Sequence, residues 1–203
     1  IAAFVSLLPA GKLRERLVAL APRGELFGLD VTVADAGPGR LPDVTGRLRF
    51  ADAGFEPVGR AAGITGLDGA IEGRGAGGVV HLTTRDGVIA WPLQWRSLIE
   101  VPRAEGRVEW SRFDDGVRFW VDDARVETAH GRALGKLRLL LRPGQLPLMN
   151  LEGAATDFDL RQTCRYLQVE RLKPKTVAWL DAAFRAGRVP EARVSITGPT
   201  KGF

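Results

Sequence analysis

For more than a hundred residues after Pro22, the apolar residues of this chain recur at every second position. Phe27, Leu29, Val31 and Val33 alternate with Gly28, Asp30 and Thr32, and Leu48 and Phe50 with Arg47 and Arg49. Leu67 and Ile71 alternate with Asp68, Ala70 and Glu72, and Val80 and Leu82 follow a glycine-rich turn at Gly75 to Gly78. Ala104, Gly106, Val108 and Trp110 lead into Asp114-Asp115-Gly116, and Val117, Phe119 and Val121 return. Leu134 to Leu141 and Leu148 to Ala155 make two further runs, joined through Pro143-Gly144. A side-chain period of two with a wet face and an apolar face is that of half-buried antiparallel strands, and Asp-Gly between two such runs marks a hairpin. The pattern predicts roughly ten short strands in a meander.

The ends of the chain read differently. Leu13, Leu17, Val18 and Leu20 form a helical stripe between Pro9 and Pro22. Leu160 to Leu167 suits a short helix with Asp159 as N-cap. Lys173 to Arg185 suits a second, with Pro174 in its first turn and Gly187 as C-cap. Val177, Leu180 and Phe184 of that helix are expected to face the sheet, with Trp179 at the edge of the contact. The chain thus divides into a helical lead-in (1–22), an antiparallel β meander (23–157), a helical pair (158–187) and the start of another strand (188–203). Ten strands of about seven residues give a face on the order of 1100 Å2, whereas three short helices cover at most about 600 Å2. The uncovered apolar remainder must close on itself, meet a partner or hold an apolar ligand.

Charge and motif content narrow the function. The net charge is +5, and all but five of the 29 basic residues are arginine. The arginines alternate with apolar residues and share their faces with Glu72, Glu105 and Glu109, which describes a solvated sheet face rather than a phosphate-tracking stripe. No nucleic-acid partner is expected. His81 and His130 stand alone, without metal-ligand spacing, and Cys164 has no histidine near it in sequence, so neither a metal, a cofactor nor a nucleophile is indicated. Gly73 to Gly78 lies between two strands and opens no helix, which makes it a hairpin loop rather than a nucleotide cradle. Asp114-Asp115 and Asp122-Asp123 read as turn residues before they read as acid–base pairs. Trp91, Trp95, Trp110 and Trp120 fall within thirty residues; they suit cross-strand packing, or else a rim where amphipathic rings meet lipid headgroups. The opening run Ile1 to Leu8 stops at Pro9, far short of the ~20 residues that span a bilayer, and lacks the features of a signal peptide. With no initiating methionine, the chain is expected to be a piece of a longer one.

The C-terminal residues carry a resemblance. Tyr166-Leu167, Leu172-Lys173-Pro174-Lys175, Trp179-Leu180-Asp181, Gly187-Arg188-Val189-Pro190 and Thr197-Gly198-Pro199 followed by Phe203 resemble, in order and spacing, the YhdP family of AsmA-like, TamB-related envelope proteins. Ala21 to Leu26, Arg49 to Phe55 and Gly66 to Gly69 extend the likeness over nearly the whole chain. Gln168 and Lys201-Gly202 depart from it, standing where the family has proline and aspartate.

The resemblance implies a periplasmic portion of an inner-membrane-anchored protein of a Gram-negative bacterium. It implies a strongly curved antiparallel sheet whose hydrophobic groove takes phospholipid acyl chains from one membrane toward the other. The membranes themselves would be reached through parts outside this chain, and no catalytic residue is implied. The candidate groove residues are Phe27, Leu29, Val31, Leu48, Phe50, Leu67, Ile71, Val108, Trp110, Val117, Phe119, Leu137 and Leu139. The alternative is a scaffolding β domain whose apolar face packs shut; a glycan-active enzyme would need paired carboxylates facing a cleft.

Overall fold

A computed structural model describes residues 18–34, 43–59, 62–93, 95–167 and 172–200. Nine strands, rather than ten, form one sheet in which each pairs antiparallel with the next in sequence: β1 (Arg23–Ala34), β2 (Asp43–Phe55), β3 (Gly63–Arg74), β4 (Gly77–Ala90), β5 (Ile99–Phe113), β6 (Gly116–Thr128), β7 (Gly131–Leu141), β8 (Leu148–Asp159) and β9 (Arg188–Pro199). The sheet is curved and does not close, and within the described residues the outer edges of β1 and β9 have no strand partner. The helix expected over Lys12 to Leu20 lies outside the described residues except at its end.

The strands run 11 to 15 residues, nearly twice the expected length. Irregularities that break the alternation in sequence turn out to be bulges inside continuous strands. Asp52, Gly66 and Asp86, in the three neighbouring strands β2, β3 and β4, all have positive φ (47°, 72° and 61°). Each such bulge adds local twist and bend. They brace one another: the Asp52 N–H donates to Asp68 Oδ1 at 2.9 Å, and the buried Thr84 hydroxyl donates to the Gly66 carbonyl.

Burial is concentrated at this bent end. Among the described apolar residues only Phe50, Ala53, Ile99 and Val101 are buried, the last two at 2% exposure. Ile99 lies directly opposite Ile89, which lies opposite Ile64. The chain as a whole exposes 13805 Å2, against about 9300 Å2 expected of a compact monomer of 22.0 kDa. Most of the sheet is a single layer.

Asp159 caps a 3-10 helix, Leu160–Tyr166, by accepting from the Arg161 N–H at 3.0 Å. Helix α1 spans Pro174–Ala183 and ends at Phe184, whose N–H reaches the Leu180 carbonyl at 3.2 Å. Gly187 is not its cap. At φ 129° it lies against the Leu160 side chain, and its carbonyl accepts from the Leu160 N–H. Val177 and Leu180 are the only half-buried residues of α1 and Phe184 follows them, but none is fully buried and Trp179 is 65% exposed, so the helix covers little of the sheet. What ties it down is the Arg96–Asp181 ion pair at 2.9 Å. Phe184 is half-buried, so Phe184→Ala should cost about 1 kcal/mol or less in urea denaturation, well below the ~3–5 kcal/mol of a fully buried aromatic.

Candidate functional site

Residues directly opposite one another in an antiparallel pair share a face, so the register sorts the whole sheet into two sides. One transverse row runs Leu48–Ile71–Val80–Val108–Val121–Leu137–Leu151–Ile196, each directly opposite the next across eight strands. Two residues along, a parallel row runs Gly46–Gly73–Gly78–Trp110–Phe119–Leu139–Met149–Gly198. On the other flank, Phe50–Gly69–Leu82–Gly106 continues past the β6 register shift as Ala124–Gly135–Gly153–Val194. Beyond it lies Ala53–Leu67–Thr84–Ala104–Val126–Ala133–Ala155–Ala192. These four rows contain no charged side chain, and their one polar member, Thr84, spends its hydroxyl on Gly66.

The extent of this face follows from sheet geometry. Four rows about 7 Å apart across eight strands about 4.8 Å apart cover on the order of 1000 Å2. The largest apolar patch of a typical soluble monomer is roughly 300–600 Å2. Every residue of the Leu48–Ile196 row is partly exposed, neither buried nor fully in solvent. Glycines let the bulkiest rings lie flat on the face: the Trp110 indole covers the Cβ position of Gly78, and the Phe50 ring covers that of Gly69.

All the sequence candidates but Phe27 belong to this face. Leu48, Phe50, Leu67, Ile71, Val108, Trp110, Phe119, Leu137 and Leu139 sit in the four rows. Val117 lies opposite Leu141 at the end of the strands, Val31 lies opposite Gly46, and Leu29 stands two residues before Val31. Phe27 lies opposite Arg49, whose guanidinium sits over its ring at 5.3 Å, and so belongs to the other side. The cause is the register shift between Phe27 and Asp30, with Gly28 at φ 64°, which reverses the alternation in the middle of β1. The sequence candidates omit Val80, Val121, Leu151, Met149 and Ile196, although the same period of two marks them.

The opposite face is built of ion pairs. Arg47 meets Glu72 at 3.0 Å, Arg125 bridges Glu105 at 3.0 Å and Asp123 at 2.9 Å, and Arg138 meets Asp122, while at the rim, beyond the strand ends, Arg142 meets Asp115 at 3.1 Å. Asp115, Asp122 and Asp123 of the two neighbouring aspartate pairs thus contribute carboxylates to arginine pairs. Exposed pairs of this kind add at most about 1 kcal/mol each; their effect is to hold the charges on one side of the sheet. Trp120 lies on this face too, opposite Glu109 and Arg138.

Trp91 and Trp95 belong to neither face. Trp91 packs edge-on against Trp95, Trp95 against Tyr166, and Tyr166 against Phe158 and His130. His130 Nδ1 lies 2.9 Å from the Tyr166 hydroxyl. Burial, then the Arg165 charge, holds the His130 pKa below 6.5, while Asp159 and Glu100 pull the other way. The folded state therefore favours the neutral ring. Between the folded pKa and 6.5 the unfolded chain binds more protons, so stability is fullest above 6.5 and is lost as the pH falls through the folded value. The thermal midpoint should drop on acidification below about pH 6.5, and His130→Gln should flatten that dependence; an unchanged slope would place its origin elsewhere. Cys164 is held as a thiol: burial first, then its hydrogen bond to Asp181, pushes its pKa up. Asp181 is drawn down chiefly by Arg96.

A family profile described as YhdP protein matches residues 1–203, the whole length of the chain. The chain belongs to the YhdP family. No curated protein and no solved structure matches it. The YhdP family is one of envelope-associated proteins of lipid-transport type. None of the described helices is long and apolar enough to cross a membrane.

Proposed function

We propose that this chain is one segment of an envelope-spanning protein that carries phospholipids between the inner and outer membranes, with acyl chains lying on the four apolar rows. The observation that supports this reading is the uncharged, half-exposed face running without interruption across eight strands. An acyl chain is the ligand that such a surface rewards, at roughly 0.8 kcal/mol per methylene removed from water. In this reading the segment lies in the periplasm of a Gram-negative bacterium, is anchored to the inner membrane by other parts of the protein, and acts by binding alone, without chemistry. The scaffolding alternative requires a cover for the same face, and no described helix supplies one. The deciding experiment is mass spectrometry of the chain purified from bacterial envelopes. Co-purifying glycerophospholipid at near-stoichiometric levels is expected, and its absence would sink the proposal.

Nucleic acid is not among the proposed partners, although the isoelectric point is near 10.0. Most arginines of the charged face already hold a carboxylate, so few phosphates would be neutralised at once. At about 150 mM salt, filter binding should detect no retention of duplex or single-stranded DNA; sub-micromolar affinity would contradict the paired-charge account.

A further inference from the structure

The apolar rows meet their first cation at one rim. On β5, two residues beyond Trp110, Arg112 lies directly opposite Val117, which lies opposite Leu141. Arg112 is therefore on the apolar face, at the hairpin end of the sheet, with its N–H spent on the Ala76 carbonyl at 2.7 Å. Its side chain is exposed. Among the described residues no carboxylate pairs with it, in contrast to Arg47, Arg125, Arg132, Arg138 and Arg142. A cleft of about 460 Å3 opens beside it, lined by Val117 and Leu141 from the apolar face and by Arg142, Asp114 and Asp115 at the turn. The Arg142 guanidinium is stacked over the Phe113 ring at 6.0 Å and engaged by Asp115, and Arg118 stacks on the same ring at 5.8 Å. Asp114 is the remaining carboxylate of this turn.

From this juxtaposition of an unpaired arginine, an indole and an apolar row we infer that the β5–β6 rim is a headgroup site, where Arg112 takes the phosphate of a phospholipid whose chains run down the Trp110–Phe119–Leu139–Met149 row. The inference rests on the lipid reading above. The chemistry is that of an interface: a tryptophan at the border between apolar and polar surface, and beyond it a guanidinium whose fork matches phosphate oxygens. A lipid lacking the phosphate would gain the rows but not the rim.

The test compares dioleoylphosphatidylglycerol with dioleoylglycerol, which has the same chains and no phosphate. Each is presented to the whole chain in mixed micelles, and the lipid retained after gel filtration is counted by mass spectrometry. Wild type should retain the phospholipid about tenfold better, the order expected of one charge-assisted contact. Arg112→Gln should lose that preference and keep dioleoylglycerol retention unchanged, and Arg112→Lys should restore part of it. An undiminished preference in Arg112→Gln overturns the rim site and leaves the apolar face standing. Retention of neither lipid by wild type overturns the face itself. Displacement of the phospholipid by millimolar inorganic phosphate would reveal a site for free anions and overturn the assignment to a lipid.

Discussion

Phe119→Asp should strip the chain of bound phospholipid while leaving the nine-stranded sheet folded. Phe119 lies between Trp110 and Leu139 in the middle of an uncharged row and is partly exposed. In a lipid-free sheet an aspartate there keeps much of its hydration, so folding loses little. Beneath acyl chains the same carboxylate would be an unpaired charge in hydrocarbon, at a cost of several kcal/mol, or on the order of a hundredfold or more in retention. Lipid counted by mass spectrometry beside far-ultraviolet circular dichroism separates the two effects. Leu48→Asp, four strands away on the neighbouring row, should behave alike. Unfolding of both variants would show a closed core and favour the scaffolding alternative.

Ile99→Ala should do the reverse, costing stability on the order of 2–5 kcal/mol. With so few buried apolar residues, each one at the bent end carries a large share of the packing. Ile99, at 2% exposure, stands directly opposite Ile89 and two residues from the equally buried Val101. A loss of that size is a large fraction of a typical domain's stability of about 5–15 kcal/mol. The measurement is the urea midpoint at constant slope, with Leu137→Ala as a comparison. Leu137 is half-exposed on the open face, so its truncation leaves no sealed cavity and should cost distinctly less. Equal losses from the two would mean that the sheet has no localised core.

Local alternation was enough to read the antiparallel meander and most of its apolar face, because pleating ties residue parity directly to side. Parity fails wherever a bulge adds a residue. Phe27 looks identical in sequence to Val31, yet the shift at Gly28 puts it over Arg49. Asp52 and Asp86 look like turn residues and instead bend uninterrupted strands, which is why the strands are longer and fewer than their punctuation suggests. The amphipathic pattern of α1 was legible, but not its partner. Whether Val177 and Leu180 meet the sheet depends on where residues 160–173 lead the chain, and the Arg96–Asp181 pair that holds the helix joins residues 85 apart. Arg112 is the least legible of all. In sequence it is one arginine among many, and only the register places it on the apolar side, two residues beyond Trp110.

The row from Leu48 to Ile196 offers an acyl chain nearly the same surface at every strand, in steps of about 4.8 Å. Sites of equal affinity bias nothing, however tightly each one binds. Away from the Arg112 rim, an acyl chain on this track therefore performs an unbiased one-dimensional walk, with no slope that drives it. Net flow then follows the difference in lipid supply between the two ends, and an obstacle placed anywhere along the row slows outward and return traffic by the same factor.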